Sequence, residues 1–181
     1  MLKIIVPARE FFNESTNEFI TSKEQPLTLE HSLVSISKWE SKWHKPFLSP
    51  KNDKSNDEIL DYVRCMTLTQ NVDPKVYYNL SKDNITKIQH YIDDSMTATT
   101  FSSNNNSPPN REIITSEIIY YWMIAYNIPV EFEKWHLNRL LTLIKVCSIK
   151  NAPSKKMTKG EILKRNHSLN AARRQAYHTH G

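Results

Sequence analysis

Glycine is almost missing from this 181-residue chain, which holds only Gly160 and Gly181. Phosphate-cradling loops such as GxGxxG and GxxxxGK[ST] need several glycines in one short stretch, because the backbone itself must approach the phosphate. Neither loop can be built here, which excludes the nucleotide-binding folds that rest on them. Cysteine is as scarce. Cys65 and Cys147 sit in apolar contexts without CxxC spacing, a pattern that predicts reduced core residues of a cytosolic protein rather than a disulfide or zinc site. Long hydrophobic runs are also lacking. Charge interrupts every apolar segment before the roughly 18 residues that a membrane span needs. The opening MLKIIVPAREFF has too short an apolar run for a signal peptide and no small-residue cleavage site.

What is present supports a packed core. Hydrophobic residues make up 39% of the chain and aromatics 10%, enough to argue against wholesale disorder. The length suits one domain, or one domain with an appendage. Charge is unevenly placed. Residues 150–181 carry eight Lys or Arg against one acid, a local +7, which leaves −2 for the rest of a chain whose total is +5. A mildly acidic body with a basic tail is a signal of a partner.

The period of the apolar residues divides the chain. Lys3–Pro7, Glu18–Thr21 and Leu27–Glu30 read as about three short strands of a small antiparallel sheet within residues 2–31. From residue 32 the spacing becomes helical. Ser32 is a candidate N-cap ahead of Leu33, Ile36, Trp39 and Trp43, two tryptophans one turn apart that read as core. Ser55 or Asn56 caps a helix whose inward stripe is Ile59, Leu60, Val63 and Met66, and Ser81 caps one with Ile85, Ile88 and Ile92 inward. A short helix is expected near Pro74–Leu80. SSNNNSPPN, residues 102–110, combines weak burial with strong turn chemistry and predicts a mobile surface loop inside one domain. Residues 115–128 are apolar nearly all round, which predicts a central core helix that Asn127 and Pro129 end. A second long helix, Val130–Ile149, should then lie antiparallel to it. Thr158 and Glu161 form a capping-box pattern ahead of a polar helix over about 158–176. The fold class is therefore α+β, mainly α: one domain over 1–150, with strands at about 2–31 and helices at about 32–149, and a basic helical extension over 151–181.

The most suggestive chemistry is Glu133-x-x-His136, the spacing by which di-iron carboxylate bundles hold their metal. On a continuous helix Glu131, Lys134, Asn138, Thr142 and Lys145 form the polar stripe, while Glu133, His136 and Arg139 fall in the apolar arc. A di-iron site needs a second such unit, and none of the other histidines (His31, His44, His90, His167, His178, His180) supplies it; HExxH is absent. The trio is expected to be a buried structural polar cluster. No setting near either cysteine would lower a thiol pKa. Asp57-Glu58 and Asp93-Asp94 diverge on their helices, and His178 and His180 are a loose pair. The residues therefore point to no catalytic group, metal or cofactor. The basic tail has three readings: a solvated helix, an arm for an acidic protein partner, or a phosphate-neutralising arm for nucleic acid. The residues that would carry either binding role are Lys155, Lys156, Lys159, Lys164, Arg165, Arg173 and Arg174.

The stretches LTLEHSLVSISKWESKWHKPFL, CMTLTQNV, SEIIYYWMIAYNIPVEFEKWHLNRLLTLIKVCSIKNAP and KRNHSLNAARR together resemble a family of small proteins of long-tailed bacteriophages, described as tail assembly chaperones. The resemblance spans roughly residues 27–175. It implies a non-enzymatic late protein of the host cytoplasm, with no catalytic or ligand residues to carry over. Such a chaperone coats the helical tape measure protein, helps tail tube subunits polymerise around it, and is absent from the mature virion. The resemblance also implies a longer form made by programmed frameshifting. A homo-oligomer is open, a nucleic-acid accessory role is the alternative, and no membrane partner is expected.

Overall fold

Four helices begin the way their sequences dictate. In the computed structural model, which describes residues 1–13, 18–49, 54–101, 112–152 and 158–178, Ser32, Ser55, Ser81 and Thr158 each accept a hydrogen bond from the backbone N–H three residues on. Each side chain satisfies a donor that a helix start leaves open. The helices are α1 (Leu33–Trp43), α2 (Asn56–Met66), α3 (Lys82–Asp93), α4 (Ser116–Ala125), α5 (Leu137–Asn151) and α6 (Lys159–Tyr177), with 3₁₀ turns at Pro74–Asn79 and Val130–Lys134. The protein is mainly helical, preceded by a small antiparallel sheet. Its chain divides into two compact units, Met1–Ser148 and Ile149–Gly181. The loop expected over 102–110 lies outside the described residues.

The N-terminal strands are β1 (Leu2–Val6), β2 (Arg9–Asn13), β3 (Glu18–Ser22) and β4 (Gln25–Leu29). β1 pairs with β4 and β2 with β3, and both pairs keep one register: Leu2 faces Leu29 and Arg9 faces Ser22. They are successive segments of a single hairpin, interrupted at Pro7, which has no N–H to give the ladder. The expected strands are present; β2 was not expected, because REFFN carries no alternation of apolar and polar residues. Ile4, Val6, Leu27 and Leu29 point one way and are buried, the period-two pattern of a one-sided sheet.

Leu33, Ile36 and Trp39 of α1 are fully buried, and α1 packs against α2, α4 and the 130–134 turn. Along α2 the inward set is Glu58, Asp61, Tyr62, Val63 and Met66. The expected stripe is thus rotated: Ile59 is exposed and Leu60 only partly buried. The reason lies on α1 and the residues just after it, whose side chains supply polar partners that periodicity cannot anticipate. Lys42 pairs with Asp61 at 2.5 Å, Lys45 with Glu58 at 2.5 Å, the Trp43 indole donates to Asp61 at 2.9 Å, and the Trp39 indole to the Glu58 carbonyl at 2.8 Å. In α3 likewise Ile88 is buried but Ile85 is exposed. Asn84 turns inward because its amide donates to the Ile5 carbonyl at 3.0 Å, and Tyr91 because its hydroxyl donates to Glu30 at 2.7 Å.

The two C-terminal helices of the first unit depart further from expectation. α4 buries Ser116, Ile119 and Met123 only, while Tyr121 and Ile124 are 66% and 76% exposed; it is not buried all round. Its end is as the sequence predicts. Asn127 adopts a left-handed conformation, its N–H reaches the Ile124 carbonyl at 3.1 Å, and the Ile128 N–H reaches that of Met123 at 2.8 Å, the Schellman closure. The long helix expected over Val130–Ile149 is broken. Trp135 is extended, His136 bridges Ser32, and the Leu137 N–H donates to the His31 carbonyl at 2.7 Å. Pairing with the 31–32 backbone takes the donors that a continuous helix would use.

Glu40 joins these parts. It is buried on α1 and both carboxylate oxygens accept backbone N–H groups, Oε1 from Phe47 at 2.7 Å and Oε2 from Ser116 at 2.8 Å. Thr115 makes no side-chain cap for α4, so a carboxylate 76 residues away in sequence does so at the helix's positive end. Glu40→Ala should cost roughly 3 kcal/mol, since two shielded donors lose their acceptor. Glu40→Gln, which keeps one acceptor oxygen, should cost clearly less. Urea denaturation of the three proteins checks this ordering.

Candidate functional site

Three features could carry function: the Glu133–His136–Arg139 trio, a polar cluster inside the core, and the basic helix. The break at Trp135 removes the geometric premise of the first. Glu133 lies in the 3₁₀ turn, where its carboxylate accepts the Tyr120 hydroxyl at 2.8 Å. His136 is buried in the bridge to Ser32, and its Nε2 donates to the Tyr91 carbonyl at 2.8 Å. Arg139 lies on α5 with its guanidinium 4.1 Å from the centre of the Trp135 ring. Each of the three is engaged with different neighbours, so the expectation of one shared polar cluster is corrected to three separate contacts. The cause is the switch from 3₁₀ turn to bridge to helix, which abolishes the common face that a continuous helix would provide.

His136 does belong to a buried cluster, with partners the sequence did not suggest. The His31 ring lies 5.1 Å from that of His136, and the Tyr91 ring lies 4.9 Å from it. His31 Nδ1 and the Tyr62 hydroxyl are joined by a hydrogen bond of 2.5 Å, and Ser35 Oγ lies 3.3 Å from the same hydroxyl. Ser35 in turn donates to the Ser32 carbonyl at 2.7 Å. His136 Nδ1 is buried without a hydrogen-bond partner. Burial lowers the pKa of His31 to about 4, the adjacent His136 acts in the same direction, and Asp93 opposes them. Burial likewise pushes the Tyr62 and Tyr91 hydroxyls well above the ordinary phenol value. His31 and the two phenols are therefore neutral near pH 7, and the cluster fastens the 30–32 segment to α2, α3 and the start of α5. Separation in sequence hid it: His31, Tyr62, Tyr91 and His136 come from four elements.

The cysteines are free thiols, both half-buried, and burial raises the pKa of Cys65, the opposite of what a nucleophile needs. Among the described residues no group of three or more His, Cys, Asp or Glu side chains is placed to hold a metal ion, and no helix is long and apolar enough to cross a membrane. A cleft of about 320 Å³ runs between α4 and α5, lined by Trp122, Tyr126, Leu141, Ile144, Lys145 and Ser148.

The basic helix α6 has the form its sequence predicts. Thr158 and Glu161 close a capping box, and His178 ends the helix in a left-handed conformation. All of its side chains are exposed, including those of Lys159, Lys164, Arg165, Arg173 and Arg174. Lys155 and Lys156 lie outside the described residues. The five described cations are presented on one 19-residue helix but do not converge on a single point.

Comparison with protein-family models, with characterised proteins and with solved structures finds no match to this chain.

The His31 environment predicts a specific acid sensitivity. Its folded pKa lies below the ordinary 6.5, so the unfolded chain binds the proton first as pH falls. The stabilisation is complete above pH 6.5 and is lost between pH 6.5 and about 4, a loss on the order of 3 kcal/mol at 1.36 kcal/mol per pH unit. Glu58 and Asp61 behave differently. Lys45 and the Ser55 backbone hold Glu58 below its usual value; burial raises Asp61, but Lys42 and Trp43 together outweigh it. Their stabilisation is lost only on further acidification. Urea midpoints measured between about pH 7.5 and pH 5 should therefore fall for the native chain and change less for His31→Gln.

Proposed function

We propose that this protein is a non-enzymatic tail assembly chaperone of a long-tailed bacteriophage, acting in the host cytoplasm on the tape measure and tail tube proteins and leaving before the virion is complete. The observation that carries this reading is α6: an exposed basic helix, capped at both ends and appended to an otherwise mildly acidic chain. A helix of this kind suits reversible side-by-side contact with acidic stretches of a long helical partner. The sequence resemblance over residues 27–175 supports the same reading, and the side chains of the His31–His136 cluster are buried. Affinity of this sort is driven by charge at the rim and by a few apolar anchors, here Ile162, Leu163, Leu169 and Tyr177, all exposed.

The same charge favours a second reading, a nucleic-acid accessory protein, because each Lys or Arg on a phosphate releases counterions. Co-expression with the tape measure protein of the same phage separates them. The chaperone reading expects that protein to stay soluble and to co-elute with this chain, and Arg173→Glu with Arg174→Glu to weaken the complex roughly tenfold. Unchanged solubility with no complex would sink it. Binding to duplex or single-stranded DNA that collapses with salt and disappears in the same variant would put the second reading in its place.

A further inference from the structure

The outward face of α4 is unusual for a small helix. Glu117, Tyr121 and Ile124 recur at four and three residues and so form one stripe, all three exposed. Glu133 is fixed beside it by the Tyr120 hydroxyl. From 112 to 133 the chain has four glutamates, Glu112, Glu117, Glu131 and Glu133, and no Lys or Arg. A contiguous apolar strip with an acidic rim marks a docking surface for something basic and apolar.

The chain itself contains such a ligand. We propose that the outward stripe of α4 docks the basic helix α6 of a second copy, giving head-to-tail self-association. The complementarity is residue-specific. Laid antiparallel, α6 sets Arg173 opposite Glu117 and Leu169 opposite Tyr121, while Ile162 and Lys159 reach past the end of α4 at Ala125. Ile162 and Leu169 are two turns apart and share a face. The antiparallel direction also brings the basic end of α6 to the acidic start of α4, with the helix dipoles opposed. Both sets of side chains are exposed in the single chain, so a second copy can cover them. Because the two surfaces differ, each bound copy leaves one α4 face and one α6 free, and association continues until a ring closes or a filament grows. This inference does not rest on the tape measure reading; a foreign helix that took either surface would act as a chain terminator.

Sedimentation velocity of the full-length protein over a range of concentrations tests it. The native chain should assemble with rising concentration, and high salt should weaken the assembly. Ile124→Asp alone, or Arg173→Glu with Arg174→Glu, should weaken association roughly tenfold or more. Mixing these two variants is decisive, since each retains one intact surface: the mixture should give a species of two chains that goes no further. Tyr121→Glu serves if Ile124→Asp fails to fold. In one chain, combining Glu117→Arg with Arg173→Glu should restore assembly that either change weakens. A native chain that stays monomeric at every concentration overturns the proposal. So does assembly that survives the arginine reversals, which would mean that α4 faces meet each other, or a mixture of variants that remains monomeric.

Discussion

Everything in the first unit depends on how α1 is enclosed, and Glu40 shows the constraint most sharply. A carboxylate buried in a protein interior is costly unless hydrogen bonds replace its water. Here the replacements are the N–H groups of Phe47 and Ser116, which belong to the chain leaving α1 and to the first residue of α4. The need to satisfy one side chain therefore fixes where two separate segments sit. Trp39, one residue earlier, is fully buried against the first turn of α2 through its indole N–H. Adjacent positions on one helix thus bind two different neighbours.

The core is more polar than its composition suggests, and its polar groups are satisfied across elements. Asp61 takes Lys42 and Trp43; Glu58 takes Lys45 and Ser55; Tyr91 takes Glu30; Asn84 takes a carbonyl of β1. Such pairs add little net stability compared with apolar packing, yet breaking one leaves an uncompensated group. They act on register. Helices α2 and α3 are turned so that acids, an amide and tyrosines face inward, while isoleucines that a periodic reading places inside lie at the surface. In α4 the Ser116 and Met123 side of the helix is the one that Glu40 draws inward, so Tyr121 and Ile124 are left outside.

The consequence for function is that the surface, not the interior, carries the chemical asymmetry. The His31–His136 cluster, for all its perturbed groups, closes the joint between the hairpin, α2, α3 and α5 and is shut from solvent. Perturbed titration often marks catalytic sites, but the same physics arises wherever imidazoles and phenols are packed together. The exposed acidic apolar stripe of α4 and the exposed basic helix α6 are the features that a binding protein would use, and both lie on helices with capped ends.

Local signals decided much of this protein without reference to the fold. The serine and threonine caps, the Schellman ending at Asn127, the capping box of α6, the strand near residues 3–6 and the scarcity of glycine are matters of neighbouring residues, and their energetics act within a turn or two. The α+β, mainly α class follows from them, as does the basic tail. Tertiary structure alone decided which face of α2, α3 and α4 turned inward and that the helix expected from Val130 would break at Trp135. It also decided that Glu133, His136 and Arg139 would be parted and His31 brought beside His136. Those outcomes rest on hydrogen bonds between residues far apart in sequence, 19 positions for Trp39 to Glu58, 76 for Glu40 to Ser116 and 106 for Leu137 to His31. No periodicity encodes them, because a buried donor or acceptor is satisfied by whichever partner the packed chain delivers.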